Sequence, residues 1–134
     1  MRDSLIAFAA TAVTLLALDI LWLTQVMGPM FQRALGPMLA ENVNYTAAAA
    51  FYLIYAVGIL FFAVRPALDS GDVRLALLQG AALGFLAYAT YDLTNLATLK
   101  MWPLRLALLD MAWGAAVTGL AAAAGAYAAL WLEP

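Results

Sequence analysis

The chain contains no cysteine and no histidine. Without thiols there are no disulfides. Without thiolates or imidazoles, the usual zinc ligand sets, axial haem ligation and a Ser-His-Asp triad are excluded. Lysine occurs once, as Lys100, at an expected helix end, a poor place for a Schiff base buried in mid-membrane. Charge of either sign is scarce: 10% of residues are charged, against roughly 25% in soluble domains. The net charge of −2 is small and scattered, which argues against a nucleic-acid partner. Nothing in this inventory calls for a cofactor or a resident metal.

Apolar surface is what the chain has in quantity. Hydrophobic residues make up 67% of it, against roughly 45–50% in soluble domains, and the mean hydropathy is +0.93. Such a surface has to face lipid, so the expected class is an all-α membrane protein. Four apolar segments, at about residues 5–26, 45–64, 75–98 and 104–132, come near the roughly 20 residues a spanning helix needs. They leave no stretch for a soluble domain, and the prediction is a single four-helix transmembrane bundle over residues 1–134. The first segment follows Met1-Arg2-Asp3-Ser4 as a signal peptide would. It holds Asp19, however, and runs into Thr24-Gln25-Val26-Met27 without a small-x-small cleavage pattern. It is therefore expected to remain as a spanning helix.

The connections differ in character. Arg65 to Asp72 reads as a polar turn punctuated by Pro66 and Gly71. Lys100-Met101-Trp102-Pro103 is short, with Lys100 and Trp102 suited to the headgroup zone and Pro103 to the first turn of a helix. The longest connection, residues 27–44, repeats Gly-Pro-Met at Gly28 and Gly36. Within it Met27, Met30, Phe31, Ala34, Leu35, Met38 and Leu39 fall at the spacing of an amphipathic stripe. A short interfacial helix between spans one and two is expected there, either a lid over an embedded site or a plain connector. Basic residues balance across the two sides: Arg2, Arg65 and Arg74 against Arg33, Lys100 and Arg105. The positive-inside rule then sets no orientation, and an antiparallel, dual-topology dimer is one arrangement that fits such balance.

Three aspartates, Asp19, Asp92 and Asp110, lie inside the apolar segments, where each costs roughly 2.5–3.5 kcal/mol on insertion scales. Each falls about two helical turns from the same side of the membrane, which sets all three in one layer roughly 10 Å deep at 1.5 Å per residue. Gly80, Gly84, Tyr88 and Asp92 follow at intervals of four, as do Asp110, Gly114 and Thr118, so two of the acids extend small-residue packing faces. Each acid has a companion three residues on, at Trp22, Asn95 and Trp113, on the same helix face. Tyr91, Thr94 and Thr98 add hydroxyls at similar depth, as does Thr24. No basic residue lies mid-helix to neutralise the layer. Burial and mutual repulsion then favour at least one of its acids in the protonated form, and acids that converge share protons as a coupled set.

The run Tyr91-Asp92-Leu93-Thr94-Asn95-Leu96-Ala97-Thr98, then Trp102-Pro103, Asp110 and Trp113-Gly114, resembles the signature of a bacterial family of predicted membrane proteins, domain of unknown function 2177. The resemblance extends over essentially the whole chain, with Asp19 and Trp22 in the first helix. It implies a four-helix, multi-pass protein of a bacterial inner membrane in which these residues matter, and it supplies no mechanism.

The ligand- or proton-binding candidates are therefore Asp19, Trp22, Asp92, Asn95, Asp110 and Trp113, supported by Tyr91, Thr94 and Thr98. Three functions remain open: binding or transport of a proton, cation or small molecule; an enzyme acting on lipid or isoprenoid; and an accessory subunit. The Ala- and Gly-rich fourth segment offers close-packing surface for a homo-oligomer or a larger membrane complex. The competing structural account has each acid simply hydrogen-bonded across helices to hold the bundle together.

Overall fold

The structure, a computed structural model, describes residues 2–132. Four helical spans, Arg2–Met38, Tyr45–Ser70, Val73–Thr98 and Leu104–Leu132, are long and apolar enough to cross a membrane. The first comprises α1 (Arg2–Trp22), a π turn (Leu23–Met27), α2 (Gly28–Leu35) and a 3₁₀ turn (Gly36–Met38). The second comprises α3 (Tyr45–Ile59), a π turn (Leu60–Val64) and α4 (Arg65–Ser70). The third and fourth are single helices, α5 (Val73–Thr98) and α6 (Leu104–Leu132).

Each π turn sits just ahead of a proline, Pro29 or Pro66. Inside a helix, proline lacks an N–H and its ring collides with the carbonyl four residues back. A widened turn relieves that collision and lets the helix continue. In the first span the Gly28 N–H bonds to the Leu23 carbonyl, five residues back. A Cβ at position 28 would run into that same carbonyl, so the turn calls for glycine. In the second span Arg65 N–H bonds to Leu60 in the same way.

This corrects the expected polar turn at Arg65 to Asp72. Pro66 does not end the helix; α4 carries it on to Ser70, and only Gly71 and Asp72 make the turn. Gly71 takes φ of 69°. Its N–H bonds to Leu68 at 3.3 Å and the Asp72 N–H to Ala67 at 3.1 Å, a Schellman ending. The Asp72 carboxylate then caps α5 by accepting the Arg74 N–H at 2.9 Å, and Asn44 caps α3 by accepting the Ala47 N–H at 3.0 Å.

α6 occupies the centre, packed most extensively on α5 and then on α1. Small residues allow the approach. A Cβ at Gly84 would meet the Gly114 carbonyl and Thr118, and one at Gly125 would meet Thr11 of α1. The Ala- and Gly-rich face of α6 is therefore covered within the chain by α1 and α5. Val13, Ile54, Phe61, Leu78 and Leu86 are exposed on the outer surface, which suits contact with lipid.

The amphipathic stripe does not float as a separate helix. It runs on from α1 through the π turn, and Met27, Met30, Phe31, Ala34, Leu35 and Leu39 pack with Trp102, Leu106 and Ala107 across the start of α6. Met38 alone of that stripe is left exposed.

Candidate functional site

α1 and α6 run side by side in opposite directions, so Asp19 near the end of one meets residues near the start of the other. The Trp113 indole N–H donates to Asp19 Oδ1 at 3.0 Å. The Tyr52 hydroxyl, reaching in from α3, donates to Asp19 Oδ2. Trp22 lies flat on Trp113, ring centres 4.7 Å apart and planes 4° from parallel. Asp19 is thus buried with a donor on each oxygen, and the two i+3 tryptophans meet face to face across the helix pair.

Asp92 is fully buried and Asp110 nearly so. The Asp110 carboxyl and the Trp102 indole are polar neighbours of Asp92, and Asp110 also has Trp22 beside it. Neither indole reaches hydrogen-bond geometry with its carboxyl neighbour. Both oxygens of Asp92 and the indole nitrogens of Trp22 and Trp102 are buried without a partner. An unpaired buried carboxylate is expensive, and two neighbouring carboxyls with no base at hand do not both ionise in apolar surroundings.

Asp19 and Asp110 both open onto a cavity of about 310 Å³. Trp22 walls it from the end of α1, Leu23 and Met27 from the π turn, Phe31 from α2, Phe51 and Tyr52 from α3, and Ala87, Tyr88 and Tyr91 from α5. Behind it, Tyr55 and Thr118 hydroxyls hydrogen-bond at 2.7 Å, which ties α3 to α6 through side chains. No lysine or arginine lines the cavity. An aromatic chamber with two carboxyl groups and no cation of its own is chemically suited to hold one, through the acids and through the ring faces. No group of three or more His, Cys, Asp or Glu able to hold a metal ion converges among the described residues.

Of the residues picked from the sequence, the structure brings Asp19, Trp22, Asp110, Trp113 and Asp92 together, and sets Tyr91 in the cavity wall, edge-on to Trp102 at 5.4 Å. It does not bring in the rest. Asn95 is half-buried, outside the cavity, with no side-chain hydrogen bond. Thr94 bonds back to the carbonyls of Thr90 and Tyr91, and Thr98 to that of Thr94 at 2.9 Å; both are exposed. Thr24 does likewise with Ile20 at 2.7 Å. Trp102 is buried beneath α2.

Sequence reasoning passed over Tyr52 and Phe51, and gave Tyr88 only a packing role. Tyr88 carried a usable signal, one turn from Asp92 on the same face. Tyr52 carried none beyond being a hydroxyl in an apolar span.

The chain matches the family described as "Predicted membrane protein (DUF2177)" over residues 4–127. No curated protein matches it, and no solved structure does.

Proposed function

The chain belongs to the DUF2177 family of predicted membrane proteins, and on that footing we propose that it binds a lipophilic organic cation in the aromatic cavity and exchanges it against a proton. The observation that carries this reading is the meeting of Asp19 and Asp110 in one aromatic chamber that has no basic side chain. The Asp92–Asp110 pair would hold the proton when the chamber is empty and release it when a cation arrives. Such a protein would work in an inner membrane, where a proton gradient can drive the exchange.

The titratable groups facing the site are Asp19 from α1, Tyr52 and Tyr55 from α3, Tyr88, Tyr91 and Asp92 from α5, and Asp110 from α6. Protonating the acids removes the negative charge that attracts the cation, so affinity should rise with pH. The test is calorimetric titration of purified protein with benzyltrimethylammonium and with neopentylbenzene, its neutral isostere. The cation should bind more tightly than the isostere by at least about tenfold, or 1.4 kcal/mol. Asp110→Asn should abolish that preference and Asp92→Asn should flatten its pH dependence. If Asp92→Asn leaves both affinity and pH profile unchanged, or if the neutral isostere binds equally well, the reading fails.

A further inference from the structure

Where α2 folds over the start of α6, Arg33 and Arg105 line one hollow of about 250 Å³, with Met30, Ala34, Pro103 and Leu106 as its other walls. Neither arginine has an acidic partner among the described residues. The ion pair among the described residues is Arg74 with Asp72 at 3.7 Å, at the opposite end of the bundle. Two guanidinium groups drawn together from different spans, with no carboxylate between them, present the donor array that a phosphate accepts in bidentate fashion. Arg105 and Leu106 in the hollow's wall lie in the first turn of α6. Ala107 is the first residue to bond back, to the Pro103 carbonyl at 3.1 Å, which leaves the N–H groups before it unpaired at the positive end of the helix.

A second hollow, about 420 Å³, shares Arg105 and continues along the outer face of α6 between Leu104, Leu108 and Leu109. All three leucines are exposed, and their direction along α6 is from the interface toward the membrane interior. A free phosphate would use the first hollow and ignore the second. An amphiphile would use both.

We propose that this surface binds an anionic glycerophospholipid, its phosphate between Arg33 and Arg105 and one acyl chain along Leu104, Leu108 and Leu109. The site is separate from the aromatic cavity, and it stands or falls independently of what that cavity binds. Its charge complements an anionic headgroup and offers a zwitterionic one no such advantage.

The test is native mass spectrometry of delipidated protein titrated with dioleoylphosphatidylglycerol or dioleoylphosphatidylcholine. The wild type should retain one phosphatidylglycerol in preference to phosphatidylcholine. The double variant R33Q/R105Q should lose that preference by roughly 25-fold, at about fivefold per arginine near a membrane surface. R65Q/R74Q, which removes the same charge from the opposite end, should leave it intact. Both arginines of the site are exposed, so folding should survive, and R33Q and R105Q singly should each show the fivefold step. Inorganic phosphate and dihexanoylphosphatidylglycerol serve as competitors. Poor displacement by phosphate supports the lipid assignment, whereas displacement by phosphate as effective as by the short-chain lipid overturns it in favour of a free-anion site. Equal losses from the two double variants, or no loss from R33Q/R105Q, would overturn the site altogether.

Discussion

A buried carboxylate is held in place by what donates to it, and in that respect Asp19 and Asp92 are opposites. Asp19 takes one hydrogen bond from Trp113 and one from Tyr52; Asp92 takes none. Asp19→Ala would orphan two donors, at about 1–3 kcal/mol each, and should lower stability by a few kcal/mol. Asp92→Asn removes an acid that no donor supports and supplies an amide that can bond to Asp110. Its stability should be unchanged or higher by about 0.6 kcal/mol, the size of an interhelical bond in a membrane. Unfolding in mixed detergent micelles would compare them, and an equal loss from both substitutions would refute the distinction. That the acids share one level was legible in the sequence because helical rise converts residue number to distance. Their partners were not, since pairing across helices leaves no mark in local spacing. The threonines misled for a related reason: within a helix a Thr hydroxyl finds the carbonyl four residues back before it finds a neighbouring helix, as Thr94 and Thr98 do.

The ends of the third and fourth spans could be read from hydropathy to within a few residues, and Leu104–Leu132 ends where the sequence placed it. The π turns could not, because a proline in an apolar run reads as a stop unless a widened turn ahead of it absorbs the clash. Glycines test this level of structure in matched pairs. At Gly84 a Cβ would strike the Gly114 carbonyl, whereas at Gly58 it meets nothing within 4 Å. Gly84→Ala should therefore separate α5 from α6 and cost about 1–3 kcal/mol, while Gly58→Ala should stabilise α3 by about 0.5–1 kcal/mol. Thermal unfolding followed by circular dichroism reads both, and a loss at Gly58 would contradict the open space there. Gly28 and Gly36 form a second pair. Gly28→Ala pushes a Cβ into the Leu23 carbonyl and must reshape the turn that delivers Met27 and Phe31 to the cavity, whereas Gly36→Ala enters open space. Weaker benzyltrimethylammonium binding is expected from the first and not from the second. Equal effects would detach the π turn from the site.

In the whole molecule the four spans do not close evenly. α3 makes its main helix contact with α1, and the second span reaches α5 and α6 chiefly through its π turn and α4. The upper part of the gap between α3 and α5 is lined by side chains, and Phe51 and Tyr91 in the cavity wall are both about half exposed, at 47% and 51%. If this flank faces the hydrocarbon, a ligand enters sideways from lipid, with its charged end on Asp19 and Asp110 and its tail left in the bilayer. Lateral entry has a measurable signature in a series of alkyltrimethylammonium ions of increasing length. Each added methylene favours leaving water by about 0.8 kcal/mol, roughly fourfold in apparent affinity. A tail that stays among acyl chains gains nothing further on binding, because lipid is as apolar as a leucine-lined wall. Affinity expressed against aqueous concentration should then climb with chain length while affinity expressed per mole of lipid stays flat. A pocket entered from water and enclosing the whole tail would give a different curve, rising until about 310 Å³ is filled and falling beyond it. Equilibrium dialysis of protein in liposomes against the series distinguishes the two, and a maximum at intermediate length would rule out the open flank as the route of entry.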